Sequence, residues 1–499
     1  MAGYKTGTDR YQQGIYSLED MVGKKSMVRV IDRFIEIQDL SSLGFGKTQL
    51  ASTGRPPYAP SSLCKLYVYG YENGVRSSRK LERETYRNVE VMWLMDSLTP
   101  DHKTISEFRK ENLRPLQKLF REFVQLCKSW DLIGGELEAF DGSKFKASNN
   151  KKSNFSRKKI DSRLAQIDEK INNYLTELDA ADKSETTGET ATDEIMSRLE
   201  ELQQRKEQYE AYKKRLDESG ENELSTVDPD ARLMGNNRGG VDVAYNVQSA
   251  VDAKHHIIVA HDVSTNPYDQ NQLGTMVKKV KRILRVKRFT ALADKGFYNG
   301  KDLMRVKKAK VLAIIARQKA SNPKEQPKEY HTENFHYNKS TNTYTCPQGH
   351  TLSTKSKKTS EKRIYTNRAA CKNCPDKDKC INGDAQHRTI NRSQYSNIYD
   401  ETDKRFAENK ELYKRRQEIV EHPFGTVKHA MNGGYFLLRT RRKVRTEVAL
   451  LFLGYNLKRA FNVLGFDGIM ARLNALFFHF WVFWLYRFFP VIKFANSRL

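Results

Sequence analysis

The sequence contains little cysteine: six residues in a chain of 499, four of them crowded between positions 346 and 380. So few thiols exclude the disulfide framework of a small secreted domain, and their clustering favours a reducing compartment and a metal site. The N-terminal segment MAGYKTGTDRYQQG lacks an apolar core, so no secretory signal peptide is predicted. A chain of this length has room for about two to four domains with hydrophobic cores.

Acidic residues are scarce beside basic ones. The 61 Asp and Glu residues face 87 Lys and Arg residues, which gives a formal net charge of +26. Such an excess favours a polyanionic partner, with nucleic acid first and an anionic membrane surface second. Long hydrophobic runs are also scarce, because the best one, 475–492, barely reaches the length of a membrane span and is interrupted by His479 and Arg487. We expect residues 461–499 to form an aromatic tail that packs on the protein, with interfacial membrane contact as the alternative.

Residues 1–130 are expected to form a helical domain. Apolar residues recur at spacings of three and four in VIDRFIEIQDL and in LRPLQKLFREFVQLCKSW, with breaks at Gly74 and around Pro100. Arg76 and Arg79 lie at the start of one short helix, where they could contact a phosphate backbone or enter a major groove. The alternative is the ordinary charged face of a helical bundle.

Two segments are typical of an α/β core. The segment 131–150 contains ELEAFDGSKFKAS, a strand with Asp141 before a glycine, and 236–318 contains a strand hairpin and an apolar strand ending at Asp294. With the helices that follow, the succession is three strands, a helix, a strand, a helix and a strand, the order of a ribonuclease-H-like fold. A carboxylate just past the end of a buried strand is well placed to meet one from a neighbouring strand.

Residues 151–235 interrupt this core. Heptad-spaced apolar residues run from Ile160 to Leu178 and again from Ile195 to Leu216, which predicts an antiparallel helical hairpin. The acidic link DAADKSETTGETATDE has no apolar period, so a flexible tip is expected there. The hairpin could dimerise the protein or clamp DNA, and an intramolecular spacer is the alternative.

Residues 319–404 hold the cysteine cluster. C-P-x-G-H followed by C-x2-C-x5-C can bring thiolates around one tetrahedral ion, so one structural Zn²⁺ is predicted, with His350 as a substitute ligand and four reduced thiols as the alternative. The rest of this segment is polar and basic, and we expect it to need the metal to fold. The predicted ligands are Cys346, Cys371, Cys374 and Cys380.

Within residues 405–460, Glu421 lies among bases. Lys428 follows Glu421 by seven residues, about two helical turns, and therefore returns to nearly the same face. A carboxylate among many cations suits a metal ion held against a phosphate backbone, and a solvated basic helix is the alternative. The predicted phosphate contacts in this segment are Lys428, Arg416, Arg439, Arg441, Arg442 and Lys443.

Pro423 complicates this helix. It removes a backbone donor and disfavours helical geometry at the preceding residue, so the helix is expected to kink or to begin again there. Glu418, one turn before Glu421, is therefore a second candidate for the acidic ligand.

The spacing E-x6-K with H-P-F-G between resembles the Glu-bearing signature of the DDE transposases of bacterial insertion sequences. A-D-K-G-F-Y around Asp294 is similar to the second-Asp motif of that family, and the run from Pro56 to Arg109 is similar to its N-terminal domain. The family pattern has an arginine where Gln417 stands, and Arg416 lies one place early.

The resemblance implies a ribonuclease-H-like core in which Asp141, Asp294 and Glu421 hold two Mg²⁺ or Mn²⁺ ions. It also implies strand cleavage at the element's ends, strand transfer into target DNA, a homodimer on DNA, and a location in the bacterial cytoplasm with the nucleoid. The alternatives are a catalytically inactive DNA-binding protein of this fold and a simple metal-dependent nuclease.

Overall fold

The computed structural model describes residues 17–48, 56–184, 189–236, 239–317, 326–356, 361–381 and 383–488, with side chains for all of these except 180–192 and 478–488. The chain divides into two compact units: unit 1 comprises 1–134, 142–268 and 421–499, and unit 2 comprises 135–141 and 269–420. The division therefore falls within a strand after Asp141 and within a helix before Glu421.

Helices make up the described part of residues 17–129, as the 3.6-residue apolar spacing predicts. Gly74, with φ +72°, ends one helix where a break is expected, and Asp96 and Ser97 also take positive φ before Pro100. The helices are α1 Leu18–Met21, α2 Met27–Glu36, α3 Leu40–Leu43, α4 Pro60–Glu72, α5 Ser78–Arg87, α6 Val89–Leu94, α7 His102–Glu111 and α8 Leu113–Ser129.

Strand β1 (Leu137–Lys146) leads into the predicted helical hairpin. The short strands β2 (Asn154–Ser156) and β3 (Glu223–Ser225) pair at its base, and helices α9 (Arg157–Ser184) and α10 (Glu189–Ser219) extend from them. The predicted seam is buried at Ile160, Ile167, Leu199, Leu202 and Leu216.

The two helices of the hairpin extend into the acidic link. Of the acidic link 179–194, residues 179–184 and 189–194 are helical, and 185–188 lie outside the described residues. An established helix adds residues at little cost, and Ala, Asp and Glu do not oppose it strongly. The flexibility expected of the tip stays a prediction.

Unit 1 also contains an antiparallel set of strands. Strand β5 (Val241–Asp252) pairs with β4 (Arg232–Gly235) through its first residues and with β6 (Ile258–Ser264) through its later ones. Ala147, just beyond β1, donates its N–H to the Val243 carbonyl at 2.9 Å.

Unit 2 contains the parallel strands. Strand β7 (Thr290–Ala293) lies between the first half of β1 and β8 (Leu312–Ile315), parallel to both. Helices α11 (Leu273–Leu284) and α12 (Gly300–Lys308) stand before and after β7. Along the chain β1, β5, β6, α11, β7, α12 and β8 give the predicted order of three strands, helix, strand, helix and strand.

The cysteine-bearing segment folds as a five-stranded antiparallel sheet, in the order β13-β12-β11-β10-β9. Its strands have their own buried cluster of Phe335, Tyr344, Leu352, Tyr365 and Ile390. The polar and basic composition of the segment did not predict this cluster, whose large side chains share one face. The bounds are β9 His336–Asn338, β10 Thr343–Thr345, β11 Thr351–Thr354, β12 Lys362–Thr366, β13 Thr389–Ser393, with helices α13 Arg368–Lys372 and α14 Lys377–Cys380.

The chain then continues through α15 (Ser396–Glu408) and α16 (Lys410–Gly425). Helix α16 passes through Pro423, so the alternative that the helix begins again at that residue was wrong. The departure from α-helical geometry comes just after the helix, in the π-helical turn Thr426–Ala430. Such turns occur often at functional sites.

The last described element is α17 (Arg441–Phe488), whose backbone leaves helical geometry at Gly465 (φ 67°, ψ 169°). Its first half is buried in unit 1, where it packs against α8, α4 and β6. Within the described ranges, no helix is long and apolar enough to cross a membrane. Most of the predicted aromatic tail has no described side chains, and Phe477 lies 4.4 Å below the guanidinium of Arg33.

Candidate functional site

Asp141, within β1, and Asp294, just past the end of β7, follow paired residues of two neighbouring parallel strands. Phe140 of β1 is paired with Ala293 of β7, so the two aspartates are the next residues on adjacent strands. Phe140 and Ala293 are fully buried, and both aspartates are partly exposed. Since paired strands lie about 4.8 Å apart, the two aspartates are neighbours where the pairing of β1 with β7 ends. Paired oxygen ligands of this kind suit a divalent cation.

Asp294 has a basic neighbour on α16. The Arg416 guanidinium lies 3.8 Å from Asp294 Oδ1, with side-chain exposures of 17% and 41%. Arg416 also lies 5.9 Å from the ring centroid of Tyr413. Burial raises the pKa of Tyr413, and the positive charge of Arg416 opposes that rise. The structure thus places Arg416 against the carboxylate of Asp294.

The loop after Asp294 is fixed by residues that sequence reasoning missed. Tyr298 donates its hydroxyl to Asp403 at 2.6 Å and stacks on Tyr399, with ring centroids 5.0 Å apart. Arg317 completes the contact, with Nη1 at 3.0 Å from Asp403 Oδ2. The aromatic pair after Asp294 was the one available signal, because its partners lie about a hundred residues further along the chain.

Both candidates for a third carboxylate lie on α16. Glu418 and Glu421 are exposed, while Ile419, Val420 and Phe424 form the buried side of the helix. Glu418 belongs to unit 2 and Glu421 to unit 1. Either side chain is accessible to a metal ion and a substrate.

Lys428 contacts the chain just beyond Asp141. From the π-helical turn it donates hydrogen bonds to Ser143 Oγ at 2.6 Å and to the Lys144 carbonyl at 3.0 Å. Its ammonium also lies 4.8 Å from the ring centroid of Phe145. Lys428 therefore fastens the second half of β1 to the segment after α16.

The basic run from Arg439 to Arg445 splits into two sets. Arg439, Arg442 and Lys443 are exposed. Arg441 donates Nε–H to the Val263 carbonyl at 2.6 Å, and Arg445 pairs with Asp262 at 2.6 Å. Only the first set is well exposed for a phosphate.

Arg76 does not fit the predicted DNA contact. Its side chain is 2% exposed and its guanidinium lies 2.9 Å from the carboxylate of Glu447, which is fully buried. It also donates to the carbonyls of Tyr435 at 2.7 Å and Asn432 at 2.6 Å. The prediction for Arg76 was wrong, because its partners lie more than 350 residues away in sequence. Arg79, one turn later, is exposed.

The four clustered cysteines line one cavity of about 30 Å³ in unit 2. Cys346 begins a tight knuckle, in which its N–H donates to the His350 carbonyl at 2.9 Å and Gly349 takes φ +80°. Burial raises the pKa of the Cys380 thiol to about 11, and Arg388 lowers it. Among the residues that the structure describes, no three His, Cys, Asp or Glu side chains are grouped closely enough to hold a metal ion.

Two family models match the chain. A transposase domain (DUF772) matches residues 16–111, the helical segment, and a transposase DDE domain matches residues 345–461, which include Glu421 and Lys428. No curated protein and no solved structure matches it. Strand cleavage and strand transfer are the general activity of such proteins, which act on DNA with divalent metals such as Mg²⁺. The two matches, on either side of the strands that carry Asp141 and Asp294, indicate a DDE transposase of an insertion sequence.

Proposed function

We propose that Asp141, Asp294 and Glu421 are the catalytic carboxylates of a ribonuclease-H-like core that cuts the ends of the insertion sequence and joins them to target DNA. The register of β1 and β7 carries this proposal, since it sets Asp141 and Asp294 side by side. Glu421 is preferred to Glu418 because it begins the E-x6-K spacing that ends at Lys428.

The three carboxylates supply oxygen ligands for two divalent ions. Held by Asp141, Asp294 and Glu421, such ions would supply positive charge that stabilises the attacking and leaving oxygens at a phosphodiester. The adjacent carboxylates repel each other, and Arg416 beside Asp294 offsets part of that repulsion. Lys428 holds β1 just beyond Asp141, which restricts where that carboxylate can lie.

Two reactions take place at this site. Water first attacks the phosphorus at the element's end, the P–O3′ bond breaks, and a 3′-hydroxyl is released. That hydroxyl then attacks a phosphorus of the target strand, which forms the new phosphodiester and releases the target's 3′-hydroxyl. The second reaction separates a transposase from a simple nuclease.

DNA is held by exposed cations outside the carboxylate cluster. Arg79 on α5 is assigned to the element's end, and Arg439, Arg442 and Lys443 are assigned to phosphates. Because an element has two ends, we propose that two copies of the chain act together on DNA.

The cysteine-lined cavity is proposed to hold one structural Zn²⁺. Four soft sulfur donors around one small space fit this ion better than Mg²⁺, which prefers oxygen. The thiols must approach one another to bind it, since the described side chains are not grouped as a finished site. The buried aromatic cluster supports a role in which the metal adds to the stability of this segment and does not create its fold.

An assay with a labelled duplex carrying the element's own end tests this function. With Mg²⁺ and a target duplex, the full chain is expected to give both a cut strand and a joined product, and neither with a chelator. Cleavage without joining assigns the chain to the simple nucleases. Binding of the end without either product assigns it to the inactive DNA-binding proteins of this fold.

A further inference from the structure

The helical hairpin carries basic side chains in two different settings. In the first, each cation has a carboxylate: Lys206 lies 2.8 Å from Asp168 and Lys213 lies 2.8 Å from Asp161, both across the two helices. Arg198 is paired within α10, where Glu194, one turn earlier, lies at 3.9 Å. These cations neutralise acidic residues of the hairpin itself.

The second setting is an open groove of about 610 Å³ along the hairpin and its base. No Asp or Glu lines it, and among the described residues none of its six cations forms an ion pair. Five of them are exposed and Lys159 is partly buried. The six are Lys151, Lys152, Lys159, Arg163, Lys170 and Arg205.

Helical spacing aligns these cations. Lys159, Arg163 and Lys170 stand at i, i+4 and i+11 on α9, which puts them on one face over about 16 Å of helix. Arg205 lines the same groove from α10. Duplex DNA carries one phosphate per about 3.4 Å of axis on each strand, so the row is long enough for several phosphates.

The base of the groove is held in place by Lys159. Its ammonium donates to the carbonyls of Lys151 at 3.0 Å and Asn154 at 2.6 Å, and lies 4.5 Å from the ring centroid of Phe155. Burial, and then the nearby charge of Arg163, lower its pKa. Cations gathered without carboxylates repel one another, and a polyanion in the groove relieves that repulsion.

We propose that this groove binds the phosphate backbone of duplex DNA, as a contact separate from the catalytic carboxylates. The inference rests on the proposed function in taking DNA as the polyanion. It assigns DNA clamping to the hairpin, where a spacer was the alternative. Phosphate contacts carry no sequence information, so the groove strengthens binding to the element's end and to unrelated duplex alike.

Two triple variants of the full chain test the groove. The first, Arg163→Gln with Lys170→Gln and Arg205→Gln, removes three groove cations. The matched control, Arg198→Gln with Lys206→Gln and Lys213→Gln, removes three charges from the same hairpin where each faces a carboxylate. Affinity for a duplex is measured at several salt concentrations. The groove variant should lower the log–log salt slope by about 2–3, and the control by less than about 1.

The charge-preserving variant Arg163→Lys with Arg205→Lys should keep the wild-type slope, which separates lost charge from lost folding. Equal slopes for the two triple variants, or lost binding to phosphatidylserine vesicles with an unchanged DNA slope, overturn the inference. Failure of the proposed function looks different: the wild-type chain then neither cuts nor joins, although the two variants still differ in salt slope.

Discussion

At the scale of single residues, sequence and structure agree best at the two aspartates. The placement of Asp141 and Asp294 next to buried strand residues could be predicted because each follows a short apolar run, a pattern that local sequence reveals. Their adjacency depends on the register of β1 against β7, which no local pattern states. Arg76 and Arg79 show the opposite case: three residues apart, one is buried against Glu447 and the other is exposed, and Glu447 is 371 residues away from Arg76.

This contrast predicts opposite effects for two similar changes. Arg76→Met leaves Glu447 buried without its cation, which should lower the free energy of unfolding of unit 1 by about 3–5 kcal/mol. Arg79→Met should change it by less than about 0.5 kcal/mol. The effects on DNA affinity should be the reverse: Arg79→Met should lower it more than Arg76→Met, since only Arg79 is exposed. Urea denaturation gives the free energy of unfolding of both variants, and a binding assay gives their affinity for the element's end. An unchanged free energy of unfolding in Arg76→Met would contradict the buried ion pair.

The two glutamates of α16 give a second prediction at this scale. Glu421→Ala should abolish cleavage and joining, because a two-ion site fails when one side of its ligand set is missing. Glu418→Ala, an equal loss of one exposed carboxylate three residues earlier, should keep both reactions. Initial rates on the end duplex decide between them, and the reverse pattern transfers the ligand role to Glu418.

At the scale of elements, apolar periodicity predicted most helices and strands of the core. It failed where a helix extends cooperatively beyond its apolar pattern, and where the buried side chains of a sheet are widely spaced in the sequence. The hairpin helices run into the acidic link because a long helix extends easily. Helix α16 passes through Pro423 before the π-helical turn takes up the irregularity. The cysteine-bearing sheet was missed because five buried residues spread over about 55 positions hardly alter the local composition.

The cysteine-lined cavity leads to a prediction about zinc content. We expect about one zinc per chain, lost with Cys371→Ser or Cys374→Ser and kept with Cys127→Ser, a buried cysteine of α8. Because the sheet has its own aromatic cluster, loss of zinc should lower its stability without unfolding the rest of the chain. Metal analysis of protein purified without chelator makes the test, and an absence of zinc in the wild type refutes the site.

At the scale of the whole molecule, the net charge of +26 is the property that sequence predicts most simply. It indicates a polyanionic partner, and it does not say which cations touch that partner. The structure divides the cations by their contacts. Arg441 and Arg445 contact residues of β6, while Arg442 and Lys443 are exposed.

Salt dependence should follow this sorting. Arg442→Gln with Lys443→Gln should lower the log–log salt slope of end binding by about 2, since each phosphate contact contributes about 0.9. Lys404→Gln with Lys414→Gln is the matched control, because these lysines are paired with Glu408 and Glu411. Equal slopes for the two double variants remove Arg442 and Lys443 from the DNA interface.

Strand cleavage by aspartate variants tests the paired carboxylates most directly. Asp294→Ala and Asp141→Ala should each abolish cutting and joining of the labelled end duplex with Mg²⁺, while end affinity stays within about threefold, because these side chains hold metal. Asp384→Ala removes an exposed carboxylate elsewhere in unit 2 and should react like the wild type. If Asp294→Ala cuts at the wild-type rate, the paired aspartates are not the catalytic site.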